Sequence, residues 1–460
     1  MVLVIPLMLA LFMANLDQTI VATALPGIGA DLHAGADVSW IATAYLLTGS
    51  VSTLLSGKLG DLYGRKKILQ LAIGVFLVGS LLSGIARTLP VLAVSRALQG
   101  VGGGAITSLV MAITGDLASP RRRARLQAAL GTVAALALIA GPLCGGAFSD
   151  GLSWRWIFYV NLPIGVVALI AVAMKLRLPA PPGNGRVDIL GALTVTVFTT
   201  TVMLFTTWGG HDYPWSSPVV LGLAALAVVS LACYLAVERR AAEPVTPLRL
   251  FRSADFCLVS AQFLLVAMVL MAAMLYMPMF LQTVQLKSAF TAGLHVVPLL
   301  LGLVAAAVIS GLLITRTGRY KVYPVAGAVL VAAGMAVLGR ADRSTGTVAL
   351  VVPLAVVGVG IGFFVQVCIL VGQFSAGQEH IGTATGVLNF FRSLGGAFGA
   401  ALFGAVLTAG TRSSAPDAAA FRSVFTWTVP FMALALALAL LLEDRPLPEA
   451  SVQQPGQFDA

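Results

Sequence analysis

Long apolar runs separated by short polar breaks dominate the chain. A membrane helix needs about 20 mostly apolar residues. Runs of that kind lie at 2–24, 38–57, 68–86, 90–113, 125–148, 156–174, 188–208, 218–237, 257–281, 290–314, 322–339, 347–371, 382–408 and 424–442. The pattern predicts fourteen helices joined by short loops, with no stretch long enough for a separate soluble domain. The first run is expected to be a retained helix. Its Ala22-Thr23-Ala24 looks like a leader-peptide cleavage site, but no basic segment precedes it, and Asn15 and Asp17 interrupt its apolar core.

Composition agrees with the pattern. The chain is 58% hydrophobic and 10% charged, with a mean hydropathy of +0.96, whereas soluble domains carry about 25% charged residues. An integral membrane protein follows, with the lipid bilayer as its constant partner.

The net charge of +10 does not indicate nucleic-acid binding, which needs basic residues gathered in one patch. Here they fall in clusters between apolar runs, such as Arg65-Lys66-Lys67, Arg121-Arg122-Arg123 and Arg316 to Lys321. With the N-terminus inside, nineteen lysines and arginines fall on the inner side and seven on the outer. That bias places both termini in the cytoplasm.

Cysteine, histidine and nucleotide chemistry are poorly served. Cys144, Cys233, Cys257 and Cys368 lie in or beside apolar runs without C-x-x-C spacing, and four histidines show no ligand pairing. No phosphate-binding G-x-x-x-x-G-K-[ST] is present, which disfavours ATP-driven work by this chain alone. No nucleophile–base pair points to an enzyme, and no metal or cofactor is expected.

A repeat divides the chain. Gly57 to Lys67 and Gly311 to Lys321 both read G-x6-G-R-x-K, at an offset of 254, and Gly-Gly-Ala-Phe recurs at 145–148 and 395–398. Repeats of this kind mark transporters with a substrate site between two related bundles. The expected division is 1–176 for a six-helix bundle and 177–250 for two extra helices. A second six-helix bundle fills 251–443, and a polar cytoplasmic tail fills 444–460.

Gly57-Lys-Leu-Gly-Asp61-Leu-Tyr-Gly64-Arg65-Lys-Lys lies in an inner loop. A positive-inside anchor explains Lys66 and Lys67 but not Asp61 among spaced glycines. Asp61 can accept from Arg65 or a helix N-terminus and so hold one conformation. This segment resembles the signature loop of the major facilitator superfamily. Leu16-Asp17-Gln18-Thr19 through Leu25-Pro26 resembles the first-helix motif of its fourteen-helix drug:proton antiporters, and Arg96-Ala-Leu-Gln99-Gly-Val-Gly its fourth-helix motif. Gly131 through Gly141-Pro142-Leu-Cys144-Gly145-Gly146 resembles the antiporter motif of the fifth helix. Ser153-Trp-Arg-Trp through Asn161-Leu-Pro163 resembles the entry to the sixth.

The resemblance implies an all-α major facilitator-type fold of fourteen helices in a 6 + 2 + 6 order. It implies a proton-coupled antiporter exporting small amphipathic or lipophilic compounds, drugs and antibiotics among them. The energy source is a proton gradient, and the expected setting is a cell membrane, bacterial inner membrane by composition, with the chain a monomer. A proton-linked or facilitative transporter of one metabolite is the alternative.

Asp17 and Arg96 carry the most information, because a charge in hydrocarbon costs a few kcal/mol and is a functional candidate by default. Burial and a neighbouring cation act in opposite senses on a carboxylate, so a proton and a cationic substrate can compete for it. A static Asp17–Arg96 ion pair is the bland alternative. Asn389 and Arg392, at i and i+3 on one helix face, are either cavity-lining or a tether. Met271 and Met274 belong to a methionine stripe, and with Gln262 and Gln366 they are candidates for a pocket or for ordinary packing. Gly141-Pro142 suggests a kink beside a tight helix contact. Asp188 is expected to cap the seventh run, with no transport role. His295 is a weaker protonation candidate. Asp17 aligns with Met271 across the repeat, and the last six runs hold no mid-membrane acid, which disfavours divalent cations.

Overall fold

The computed structural model describes residues 4–32, 40–117, scattered positions between 126 and 148, 153–176, 178, 188–210, 213–241, 244–376, 380–410 and 417–443. Within them the chain is helical. The elements are α1 (Ile5–Asp31), α2 (Trp40–Tyr63), α3 (Arg65–Ile85), α4 (Leu89–Leu117), α5 (the helical residues described between 126 and 148), α6 (Trp156–Tyr159) and α7 (Asn161–Lys175). Then follow α8 (Ile189–Trp208), α9 (Pro218–Glu238), a short 3-10 turn (Leu248–Arg252), α10 (Ala254–Thr283), α11 (Ala289–Thr317), α12 (Val322–Leu338), α13 (Thr347–Ala376), α14 (Ile381–Gly410) and α15 (Ala418–Leu441). Ten of the described helices are long and apolar enough to cross a membrane, and Ile5–Val21 and Val322–Leu338 are shorter apolar helices.

The helices outrun the apolar stretches that announce them. α1 continues through Pro26 to Asp31, and Pro278, Pro298, Pro353 and Pro430 sit inside helices as well. Neighbouring helices re-satisfy the backbone groups that proline frees in a membrane helix.

Helices α1–α4 and α7 share one apolar core, built on Leu7, Leu69, Phe76 and Ile106. Helices α10–α15 share another around Phe263, Phe280, Phe364 and Phe425. One close approach has a counterpart in each set, at glycines 254 residues apart and partners 250 residues apart. A side-chain carbon on Gly104 of α4 would run into the main chain of Gly49 on α2, and one on Gly358 of α13 into the main-chain oxygen of Leu299 on α11. Small residues at such crossings are what membrane helix packing requires, since lipid is as apolar as leucine.

The α8–α9 hairpin lies across both sets. Trp208 of α8 meets Trp40 of α2 edge-on at 6.0 Å, while Phe198 reaches Phe390 of α14 at 6.4 Å. An apolar side pocket of about 340 Å³ runs along α2, α3 and α4 to Thr196 of α8. Asp188 caps α8 as expected, its Oδ1 accepting from Gly191 N at 2.8 Å.

Gly104→Val should overpack the α2–α4 crossing and lower the thermal midpoint and folded yield of the purified protein, at a cost of about 1–3 kcal/mol. Gly74→Val, where the space is open, should leave both unchanged.

Candidate functional site

Five helical elements supply one buried polar cluster. Asp17 of α1 is fully buried, and Arg96 of α4 is 1% exposed. Arg96 Nη1 donates to Asp17 Oδ2 at 2.6 Å and to Gln99 Oε1 at 2.7 Å. The second carboxylate oxygen, Oδ1, accepts from Gln99 Nε2 at 2.7 Å and from Asn161 Nδ2 of α7 at 2.9 Å. Ser80 of α3 joins them, its Oγ accepting from Gln99 at 3.1 Å and Asn161 at 3.0 Å while donating to Phe158 O of α6. The guanidinium carbon of Arg96 stands 4.3 Å from the ring centroid of Tyr45 on α2, a cation–π contact that strengthens when water is excluded.

Of these, Asp17 and Arg96 stand out in the sequence as charges. Gln99 follows Arg96 by three residues and so shares its helix face. Asn161 is present in the sixth-helix motif, but its type gives no hint of its partner. Ser80 carries no signal at all. The cluster draws on α1, α3, α4, α6 and α7, and α2 borders it through Tyr45 and through Ile41 O, which accepts from Arg96 Nε at 3.4 Å. Asn389 is buried and donates to Thr385 O on its own helix at 3.0 Å, and Arg392 is exposed. Neither makes a hydrogen bond to Asp17 or Arg96.

Next to Asp17, Thr19 packs on α5. A side-chain carbon on Gly141 would collide with Thr19, so the small residue lets α5 approach the carboxylate helix. Gly145 is buried, and Pro142 and Gly146 lie outside the described residues. On α10, Met268 and Met277 are core residues, whereas Met271 and Met274 are half-buried. Gln262 is fully buried with neither amide atom hydrogen-bonded among the described residues, and Gln366 is 3% exposed. His295 uses Nδ1 on Thr291 O and meets Lys287 Nζ at 3.2 Å through Nε2.

A second constellation ties the two helix sets at the predicted cytoplasmic end. Arg65 donates from Nη2 to Asp61 Oδ1 at 2.7 Å and from Nε at 3.1 Å, and it also pairs with Asp116 of α4. Asp61 Oδ2 accepts from the backbone N–H of Thr383 at 2.9 Å and from its hydroxyl at 2.8 Å. Thr383 lies in the first turn of α14, so a carboxylate on α2 caps a helix of the other set, where the helix dipole favours negative charge. Gly57 and Gly382 let the backbones touch, since a side-chain carbon on either would strike the other helix. Gly64 turns the chain at φ 94° into α3, a conformation that favours glycine. Gln373 of α13 adds a second tie, donating to Thr385 at 2.9 Å and Met111 O of α4 at 3.2 Å and accepting from Gln127 of α5 at 3.0 Å.

The Major Facilitator Superfamily model matches residues 7–400. The chain belongs to the major facilitator superfamily. It is 40% identical over 400 residues to an MFS-type transporter of Mycobacterium tuberculosis, covering 87% of this chain and 58% of that relative's length. It is 34% identical over 403 residues to the multidrug transporter protein MdtP of Bacillus subtilis, covering 88% and 74% respectively. In structure it superposes on the human organic anion transporter MFSD10 with a TM-score of 0.72 at 17% identity, covering 95% of this chain and 99% of that one. At that identity the likeness is one of fold.

The Asp61–Thr383 contact, called the latch below, ties the two helix sets together. Asp61→Asn should weaken the Arg65 pair and loosen the latch. Alkylation of Leu54→Cys, buried on α2 where Gly386 of α14 packs, should then rise about tenfold toward a water-soluble maleimide in inverted vesicles. An unchanged rate would deny Asp61 that role.

Proposed function

We propose that the chain is a proton-coupled exporter of small amphipathic or lipophilic compounds. Its division would be two six-helix bundles, 1–176 and 251–443, with the α8–α9 pair between them, fourteen crossings in all and both termini cytoplasmic. Likeness to MdtP, a multidrug transporter by name, supports the substrate class. The observation that carries the coupling is the buried Asp17, which accepts from Arg96, Gln99 and Asn161.

Protonating Asp17 would remove the charge that balances Arg96 in a dry site. Leaving one member of a buried pair uncompensated costs about 3–5 kcal/mol, enough to shift a balance between two packings of the same helices. The static-pair reading and this one share the same geometry and differ in whether the proton arrives. With the latch closed at the cytoplasmic end, a proton would reach Asp17 from outside, and loss of the pair would favour opening inward. Substrate would then enter from the cytoplasm or inner leaflet, and the pair would re-form as the proton leaves. One charge falling through 100 mV supplies about 2.3 kcal/mol, or about 50-fold accumulation. No cofactor enters this cycle.

In inverted vesicles carrying a proton gradient, a panel of lipophilic compounds should evoke proton release through the wild type. Asp17→Asn should reduce that release to the level of protein-free vesicles while folded protein remains. Proton movement retained in the mutant would place coupling elsewhere, and compound movement without proton movement would mark a facilitative transporter.

A further inference from the structure

Arg392 is a cation part-way along an apolar helix, with no counter-charge among the described residues. It lies eleven residues beyond Ile381, about 17 Å along α14 from the latch. Its side chain is exposed, and among the described residues it makes no hydrogen bond or ion pair. The Phe263 ring of α10 lies 5.9 Å from the guanidinium carbon. Between Asp255 and Asp417 the sequence has two acids, Asp342 and Glu379, and neither falls within the last six apolar runs. Asp17 is sealed and saturated by its own partners.

Helix geometry says where this cation faces. One face of α14 packs on α2 through Gly382 and Gly386, and another packs on α10 through Gly395 and Gly399. At 100° per residue, Arg392 and Gly396 fall on the stripe between those two faces. Thr385 falls on the same stripe and meets Gln373 of α13, which also reaches Met111 of α4, so this side of α14 is turned toward the other helix set. Met271 of α10 borders the stripe, its Cε 3.8 Å from where a side chain on Gly396 would begin. The stripe therefore combines one guanidinium with a thioether, and the buried Phe263 ring lies behind the guanidinium. An intramembrane arginine normally pairs with an acid or faces a water-filled cavity, and a guanidinium fork suits a planar oxyanion held by two parallel hydrogen bonds.

We propose that Arg392 is the recognition group for the acidic moiety of an amphipathic organic anion, with the half-buried Met271 receiving its apolar part. This rests on the export reading and narrows its substrate class to compounds bearing a carboxylate or sulfonate.

The test uses three probes with one aromatic body: 1-naphthylacetate, its neutral amide, and the corresponding trimethylammonium compound. Equilibrium binding to the full chain in lipid nanodiscs is measured alongside accumulation in inverted vesicles. Wild type should bind the carboxylate about tenfold or more tightly than the amide, and the ammonium compound more weakly still. Arg392→Gln should bring carboxylate binding down to the amide's level with amide binding unchanged, which also shows that the variant is folded. Arg392→Lys should recover part of the preference. Equal binding of the three probes, tighter binding of the cation, a preference that survives Arg392→Gln, or no binding of the carboxylate would overturn the proposal. Carboxylate binding through Arg392 without accumulation would leave the anion site standing and refute the export reading.

Discussion

A charge inside a membrane must be paired, hydrated or used, and the positions of Asp17 and Arg96 follow from that constraint. The carboxylate could have been shielded by Arg96 alone. Instead α3, α4 and α7 each turn a neutral polar side chain inward so that both oxygens are met. This makes the cluster stiff. Removing the charge from one member leaves the others with unmet donors, which in low dielectric is expensive. The packing of α1 against α3, α4 and α7 is thus conditional on one ionised group. Thr19 and Gly141 extend that condition to α5, because the helix that carries Asp17 also carries the contact to the antiporter-motif helix.

The latch uses the same physics at the membrane edge, with a different outcome. The two G-x6-G-R-x-K loops both turn through a glycine at positive φ, Gly64 and Gly318. Asp61, however, has Thr315 as its counterpart in the second copy. Only the first loop therefore offers a carboxylate to the helix N-terminus of the opposite set. The repeat supplies a symmetric scaffold, and a single acid makes its cytoplasmic seam lopsided. Further along α14 the same helix leaves the seam and presents Arg392, so one element carries both the latch and a cation with no partner among the described residues.

Hydropathy located the helices well because twenty apolar residues in a row have few other uses, but it could not find their ends. α1 runs on to Asp31 and α2 to Tyr63, past the last apolar residue, because helices project into the polar zone, where charged residues are welcome. Of the buried cluster, the charged members were legible because ionisable groups are rare at that depth. Gln99, Asn161 and Ser80 were not, since a neutral polar residue in a membrane helix can bond to its own backbone or to a neighbour equally well. Thr383 was invisible for a different reason. Its role depends on which helix faces α2, and the spacing of residues within one segment carries no information on that. The residues around Asp61 left its partner open between Arg65 and a helix N-terminus, and the fold uses both.

The central claim is that the charge on Asp17 governs how the two helix sets meet at the cytoplasmic end. It is tested most directly by pulsed electron spin resonance between labels at Lys67→Cys and Val322→Cys, both exposed. The protein background would have Cys144, Cys233, Cys257 and Cys368 replaced. Acidification should add a longer-distance component in wild type, and Asp17→Asn should show that component at every pH with no further response. A distance distribution in Asp17→Asn that still follows pH as wild type does would contradict the account.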